Sequence, residues 1–174
     1  MVLGGGIVPS MDDRRRRFEA QALPHLDAAY NLARWLAPVD AEDIVQDAML
    51  RAFRAFDGFR GGDAKAWLLA IVRNCSRSAG ADARRRAHAP LPEDDAGAIA
   101  SGDADPEAQA TRASESRRLN GAITLLPNEF REVLILREME EMSYREIAET
   151  TGAPIGTVMS RLARARGMLK EKLL

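Results

Sequence analysis

The stretch that most limits what this chain can fold into is its last third, SYREIAETTGAPIGTVMSRLARARGMLKEKLL, from Ser143 to Leu174. Ser143 is a favoured helix N-cap, and Glu146 stands three residues on, where its carboxylate can reach back to the Ser143 N–H. Met142 and Ile147 bracket that cap in the positions of a hydrophobic staple, so the helix start is specified twice. The pattern predicts a short helix to about Thr150 and a turn at Gly152, which tolerates positive φ. Pro154 then suits the first turn of a second helix, because it has no N–H to leave unsatisfied there. In that helix Ile155, Val158, Leu162, Ala165 and Leu169 recur at alternating steps of three and four and predict one buried stripe.

Thr157, Ser160, Arg161 and Arg164 fall on another face of the same helix, with Arg166 on its flank. Two short helices about a glycine turn, the second presenting hydroxyls and guanidiniums, are what a helix-turn-helix requires. Hydroxyls and Arg side chains bond phosphates, and Arg also reads the guanine edge in the major groove. The competing reading is an αα-hairpin whose Arg face is merely solvated.

Nothing in the composition opposes a helical protein. Aromatic residues are 5% of the chain and hydrophobic residues 46%. Abundant Ala, Leu, Arg and Glu with no alternating strand pattern predicts an all-α fold. The net charge of −1 and pI near 6.2 do not advertise a nucleic-acid partner, but basic and acidic residues are segregated along the chain. The single cysteine, Cys75, excludes an internal disulfide and fits a reducing cytosol. The opening VLGGGIVPS lacks the basic start and sustained apolar run of a signal peptide, and no segment reaches membrane-spanning length, so a cytoplasmic location is expected. Residues 1–11 read as a disordered tail, with Met11 an alternative start.

From Asp12 to about Ala37 a helical segment buries Phe18, Ala22, Leu26, Ala29, Tyr30 and Ala33, with a kink at Pro24. Arg14 to Arg17 read as its solvated end. Asp40 is the expected cap of the next helix, DAEDIVQDAMLRAFRAF, with Glu42 and Asp43 favourable against its N-terminal dipole. Its buried side is Ile44, Ala48, Ala52 and Phe56, with Val45 and Phe53 alongside. Asp43, Gln46, Asp47, Leu50 and Arg54 form an outward stripe, polar except for one leucine. A stripe of that kind is ordinarily a solvated face, but the embedded Leu50 favours a contact with a partner helix. The loop DGFRGGD follows, and Asp63 can cap a further helix with Trp67, Leu68, Ile71, Val72 and Cys75 on its apolar side and Lys65, Arg73, Asn74 and Arg77 elsewhere. That helix ends in Arg84, Arg85 and Arg86.

Residues 87–112 are rich in Ala, Gly, Pro and acid and read as a flexible linker between helical domains at 12–86 and 113–174. Beyond it one helix leads to Leu126, and another starting at Pro127 carries Phe130, Val133, Leu134, Ile135 and Leu136 as the core beneath the helix-turn-helix. Metal-ligand spacing, phosphate-cradling glycine loops and nucleophile–base sets are missing, and His25 and His88 stand isolated. The expectation is therefore a non-enzyme without cofactor.

Three stretches, DAEDIVQDAMLRAFRAFDGF, DAKAWLLAIVRN and LPNEFREVLILREMEEMSYREIAETTGAPIGTVMSRLARAR, in that order and spacing, resemble the sigma-70 superfamily. More narrowly they resemble the extracytoplasmic-function (ECF) sigma factors, which keep only the second and fourth sigma domains. The resemblance implies a bacterial initiation factor that binds core RNA polymerase, directs it to promoters and assists melting. It implies that Asp43, Gln46, Asp47, Leu50 and Arg54 dock on the β′ clamp helices, and that the fourth domain meets the β flap. It assigns the −10 element, captured as a single strand, to Phe59, Arg60, Asp63, Lys65, Arg73, Asn74 and Arg77. The −35 duplex falls to Ser143, Tyr144, Thr157, Ser160, Arg161, Arg164 and Arg166. The acidic linker corresponds to the family's segment threaded through the polymerase cleft. An anti-sigma factor that covers these faces is a further expectation, as is a monomer when free of partners. Where many relatives carry Lys in GTVKSRL, this chain has Met159, which removes one candidate phosphate contact. The alternative reading is a stand-alone regulator that binds duplex DNA by itself, usually as a dimer; a third is a helical adaptor. Neither has a use for the DAEDIVQ helix and the loop after it.

Overall fold

The structure, a computed structural model, describes residues 10–86 and 106–174; residues 1–9 of the tail expected over 1–11 and 87–105 of the linker expected over 87–112 lie outside them, while Ser10 and Met11, expected in the tail, are the N-cap and first residue of a helix. Among the described residues every regular element is helical, as the composition predicts. The chain divides into two compact units, residues 1–77 and 78–174.

In the first unit α1 (Met11–Ala22) and α2 (Leu26–Leu36) are joined by a 3-10 turn at Leu23–His25. Pro24 sits at the head of that turn, so the expected kink is a brief change of helix type. A second 3-10 turn, Pro38–Asp40, leads into α3 (Ala41–Ala55). Asp40 occupies the cap position but its side chain accepts no cap hydrogen bond, contrary to expectation; its backbone closes the 3-10 turn instead, with its N–H donating to Ala37 at 3.2 Å. α4 runs Ala64–Arg86. Here the cap forms as predicted, with the Asp63 carboxylate accepting from the Ala66 N–H at 3.1 Å.

The core of this unit is Phe18, Ala22, Ala29, Leu32, Ala33, Ile44, Ala48, Ala52, Phe56, Leu68, Leu69 and Val72, all buried. Two expected core residues, Leu26 and Tyr30, are more than a third exposed, and Leu32 takes their place. The 3-10 turn changes the helical phase between α1 and α2, so a stripe extrapolated through Pro24 points the wrong way. In α4 the buried row likewise turns toward Leu69, leaving Trp67 and Ile71 half-buried.

Arg14 departs furthest from its reading as a solvated residue. Its guanidinium donates to the Phe53 carbonyl at 2.8 Å and lies over the Phe53 ring at 4.7 Å. Its Nε stands 3.0 Å from the Asp57 carboxylate without hydrogen-bond geometry. Arg14 therefore ties α1 to the C-terminal end of α3, where the helix dipole favours a cation and the Phe53 carbonyl, already accepting from the Phe56 N–H, takes a second bond.

The second unit contains α5 (Pro106–Thr124), α6 (Asn128–Glu138), α7 (Tyr144–Thr151) and α8 (Ile155–Leu173). α5 begins inside the stretch read as linker. The apolar α6 is the central element, with Phe130, Val133, Leu134, Ile135 and Leu136 all buried, and both α7 and α8 pack on it. Arg131 donates to the Thr124 and Leu126 carbonyls and so caps the end of α5; burial lowers its pKa from the ordinary guanidinium value.

Candidate functional site

The α7–α8 pair is built as its local chemistry requires. Ser143 Oγ accepts from the Glu146 N–H at 3.2 Å, and the Glu146 carboxylate accepts from the Ser143 N–H at 2.6 Å, completing a capping box. Met142 and Ile147 are both buried beside it. Gly152 takes the left-handed conformation, φ 65°, that lets the chain reverse into α8. Pro154 is the cap residue and Ile155 the first residue of α8.

Val158, Leu162 and Ala165 form the buried stripe of α8. Ile155, expected in that stripe, is 47% exposed. At 3.6 residues per turn it lies roughly 50° from the stripe's centre. The opposite face carries Ser160 and Arg164, both exposed, with Thr157 and Arg161 half-buried beside them. Ser160 Oγ donates to the Thr157 carbonyl at 3.0 Å, which leaves its lone pairs as acceptors.

Pattern reading missed what holds two of the arginines. Arg161 pairs with Glu129 at 3.1 Å, and Arg166 pairs with Glu138 through Nε at 3.2 Å and a second nitrogen at 2.6 Å. The carboxylate of Glu138 and the Tyr144 hydroxyl hold the Arg166 pKa above its ordinary value. Tyr144 in turn lies under the Arg137 guanidinium at 5.2 Å. Ser143 thus serves as a cap and Tyr144 as part of this cationic cluster. Both acids come from α6, 28 and 32 residues away, and no periodicity within α8 points to them.

In the first unit α3 presents Asp43, Gln46, Leu50 and Arg54 as exposed residues of one face, with Asp47 half-buried among them. Leu50 is 52% exposed. Asp47 is paired with Arg51 at 2.9 Å, and both neighbour the buried Cys75, whose pKa is raised chiefly by burial. The face that sequence patterning predicted therefore exists, with a carboxylate already partnered at its centre.

The loop between α3 and α4 carries Phe59 on an aromatic stack. Its ring lies 4.8 Å from Trp67 and 6.1 Å from Phe56. Gly61 and Gly62 both have positive φ, at 88° and 107°, which lets the loop fold back to Asp63. Arg60, Asn74 and Arg77 are exposed and Lys65 is half-buried. Arg73, expected among the outward residues, is only 8% exposed. It shares one i, i+4 row with the buried Leu69 and the exposed Arg77, about 40° from each at 100° per residue. Asp63 is engaged as the α4 cap.

With these faces in view, two family descriptions match the chain: sigma-70 region 2 over residues 23–86 and sigma-70 region 4 over residues 116–169. The chain is 34% identical over 149 residues to the ECF RNA polymerase sigma-E factor of Haemophilus influenzae, covering 82% of this chain and 79% of that protein. Its identity to the corresponding factor of Escherichia coli K12 is 33%, covering 82% and 78%. Against the ECF RNA polymerase sigma factor SigE of Mycolicibacterium smegmatis it is 33% identical over 168 residues, covering 95% of this chain but 62% of that longer protein. Among solved structures it resembles the sigma factor RpoE bound to the anti-sigma factor NepR from Bartonella quintana, with a TM-score of 0.73, 29% identity, and 91% and 97% of the two chains covered. It also resembles CnrH in complex with the cytosolic domain of CnrY, with a TM-score of 0.63, 27% identity, and 91% and 88% covered. Regions 2 and 4 together define the class. The chain belongs to the ECF sigma factors of the sigma-70 superfamily.

Proposed function

We propose that this chain works as a polymerase specificity subunit, with its tasks divided between residues 12–86 and 113–174. The exposed face of α3, Asp43, Gln46, Asp47, Leu50 and Arg54, docks on the β′ clamp helices of core RNA polymerase. The second unit meets the β flap and reads the −35 duplex with α8. Thr157, Ser160, Arg161, Arg164 and Arg166 supply its phosphate and base-edge contacts, and Ser143 and Tyr144 lie at the start of α7. The −10 element is taken as a single strand by the loop and α4. Phe59, on its aromatic stack, offers a surface on which an extruded base can lie. Arg60, Lys65, Asn74 and Arg77 engage phosphates and base edges, while Asp63 holds the loop's end as the α4 cap. Extrusion costs a few kcal/mol per base, offset by these contacts, so melting draws on binding energy and requires no covalent chemistry from this chain.

The observation that carries this reading is Leu50, half exposed at the centre of an otherwise polar face in a unit that already has a complete core. A stand-alone duplex-binding regulator has no use for that face. Two related factors have been solved with protein partners, NepR and CnrY, the former named an anti-sigma factor. That supports control of this chain by an anti-sigma factor. No helix among the described residues is long and apolar enough to cross a membrane.

The test is a chain carrying Asp47→Arg and Leu50→Arg together. Both side chains are on or near the surface, so the helical fold is expected to survive, as far-UV circular dichroism would verify. Co-purification with core polymerase should be lost. Normal holoenzyme assembly by the doubly substituted chain would move the polymerase interface elsewhere.

A further inference from the structure

The recognition face of α8 holds a feature that phosphate and guanine reading does not use. Ile155, Met159 and Ala163 succeed one another at i, i+4 and i+8 and form a single row along the helix. All three are exposed, Ile155 at 47% and Met159 at 52%. The adjacent row, Gly156, Ser160 and Arg164, is polar and cationic. Arg166 lies two turns beyond Met159 on the same side, and the first acidic residue of α8 is Glu171, near its far end.

An apolar row one side chain wide, flanked by the exposed Arg164 and by Arg166, whose charge is paired with Glu138 of α6, is a poor seat for a protein helix, which needs a broader stripe. Its surroundings are complementary to a polyanion. The major groove offers a side chain one apolar group, the C5-methyl of thymine. A methionine there cannot hold a phosphate, as a lysine would, but its flexible thioether packs against a methyl group.

We propose that Ile155, Met159 and Ala163 read thymine methyl groups, so that the upstream promoter element recognised by this chain carries an A·T pair opposite Met159. This rests on the reading of α8 as the duplex-reading helix. Specificity at that base pair then comes from methyl burial, and neighbouring phosphates are held by Arg164 and its companions.

The experiment uses holoenzyme assembled from the full chain and core RNA polymerase, and a library of promoter duplexes randomised over the upstream element only. After selection for binding, the enriched duplexes are resynthesised with dT replaced by dU at one upstream position at a time, which removes the methyl and nothing else. At one or more positions the dU duplex should bind about fourfold more weakly, the effect of roughly one buried methyl-sized group. In the Met159→Ala chain the dT/dU ratio should fall to about one, whereas Met159→Leu should keep it. Equal binding of dT and dU duplexes by the unaltered chain overturns the proposal, as does a ratio unchanged by Met159→Ala. Holoenzyme that selects no upstream element at all would refute the duplex-reading role of α8 itself, an outcome distinct from selection without methyl discrimination.

Discussion

Removing the Arg14 side chain tests how the first unit is held together. In Arg14→Ala the α3 end loses a charge-assisted hydrogen bond to the Phe53 carbonyl, 2.8 Å long, and a guanidinium 4.7 Å from the Phe53 ring. A bond of the first kind contributes about 1.5–3 kcal/mol, and the ring contact about 0.5–1. The Asp57 ion pair adds little, because that carboxylate is 72% exposed and screened by water. The expected loss is therefore about 2–4 kcal/mol. Both tryptophans, Trp35 and Trp67, lie within residues 1–77, so tryptophan fluorescence in urea follows that unit alone. With an m-value of about 1 kcal/mol per molar urea, the midpoint should fall by about 2 M or more. Arg15→Ala, which removes only the exposed pair with Glu19, is the control and should leave the midpoint in place. Arg14→Lys keeps the charge but not the fork, and should recover only part of the loss. A midpoint for Arg14→Ala indistinguishable from that of Arg15→Ala would refute the clamp.

Three further outcomes are expected. Ser143→Ala removes half of the capping box and should cost about 1 kcal/mol, seen as faster amide hydrogen exchange in the first turn of α7; unchanged exchange would mean that Met142 and Ile147 hold the turn unaided. Arg164→Ala and Arg161→Ala should each weaken −35 duplex binding by holoenzyme and lower the slope of log affinity against log salt by about one. A weakened complex with an unaltered slope would assign that side chain to base edges. Cys75 is buried with a raised pKa, so its thiol should resist alkylation at neutral pH until the first unit unfolds. Because the folded thiol titrates above the unfolded one, its contribution to stability is complete below the unfolded pKa and fades as pH rises past it. Urea midpoints measured upward from about pH 8.5 should accordingly fall less in Cys75→Ala than in the unaltered chain.

What could be read from the sequence was what local chemistry determines. The capping box at Ser143 and Glu146, the left-handed Gly152 and the cap at Asp63 each depend on residues within three positions of one another, and all three form as expected. The apolar α6 and the outward face of α3 were equally legible, because a single uninterrupted helix preserves its period. The failures lie where the period is broken or the partner is remote. Pro24 and its 3-10 turn rephased α2, exposing Leu26 and Tyr30 and burying Leu32. Arg14 finds its partners 39 and more residues away, and Arg161 and Arg166 find theirs on α6. Side chains as long as arginine's take their positions from the tertiary fold, and spacing alone does not reveal them. The family resemblance joined these separate faces under one purpose; the faces themselves were already visible as chemistry.

Promoter specificity for RNA polymerase is the function proposed for this chain. Its most direct test is transcription in vitro from a panel of genomic promoter fragments, with core RNA polymerase alone, with the purified chain, and with the Asp47→Arg, Leu50→Arg chain. Discrete transcripts from a subset of promoters are expected with the unaltered chain, and none with core alone or with the doubly substituted chain. Binding of duplex DNA without polymerase, and no transcript started with it, would contradict a sigma role and make the chain a regulator.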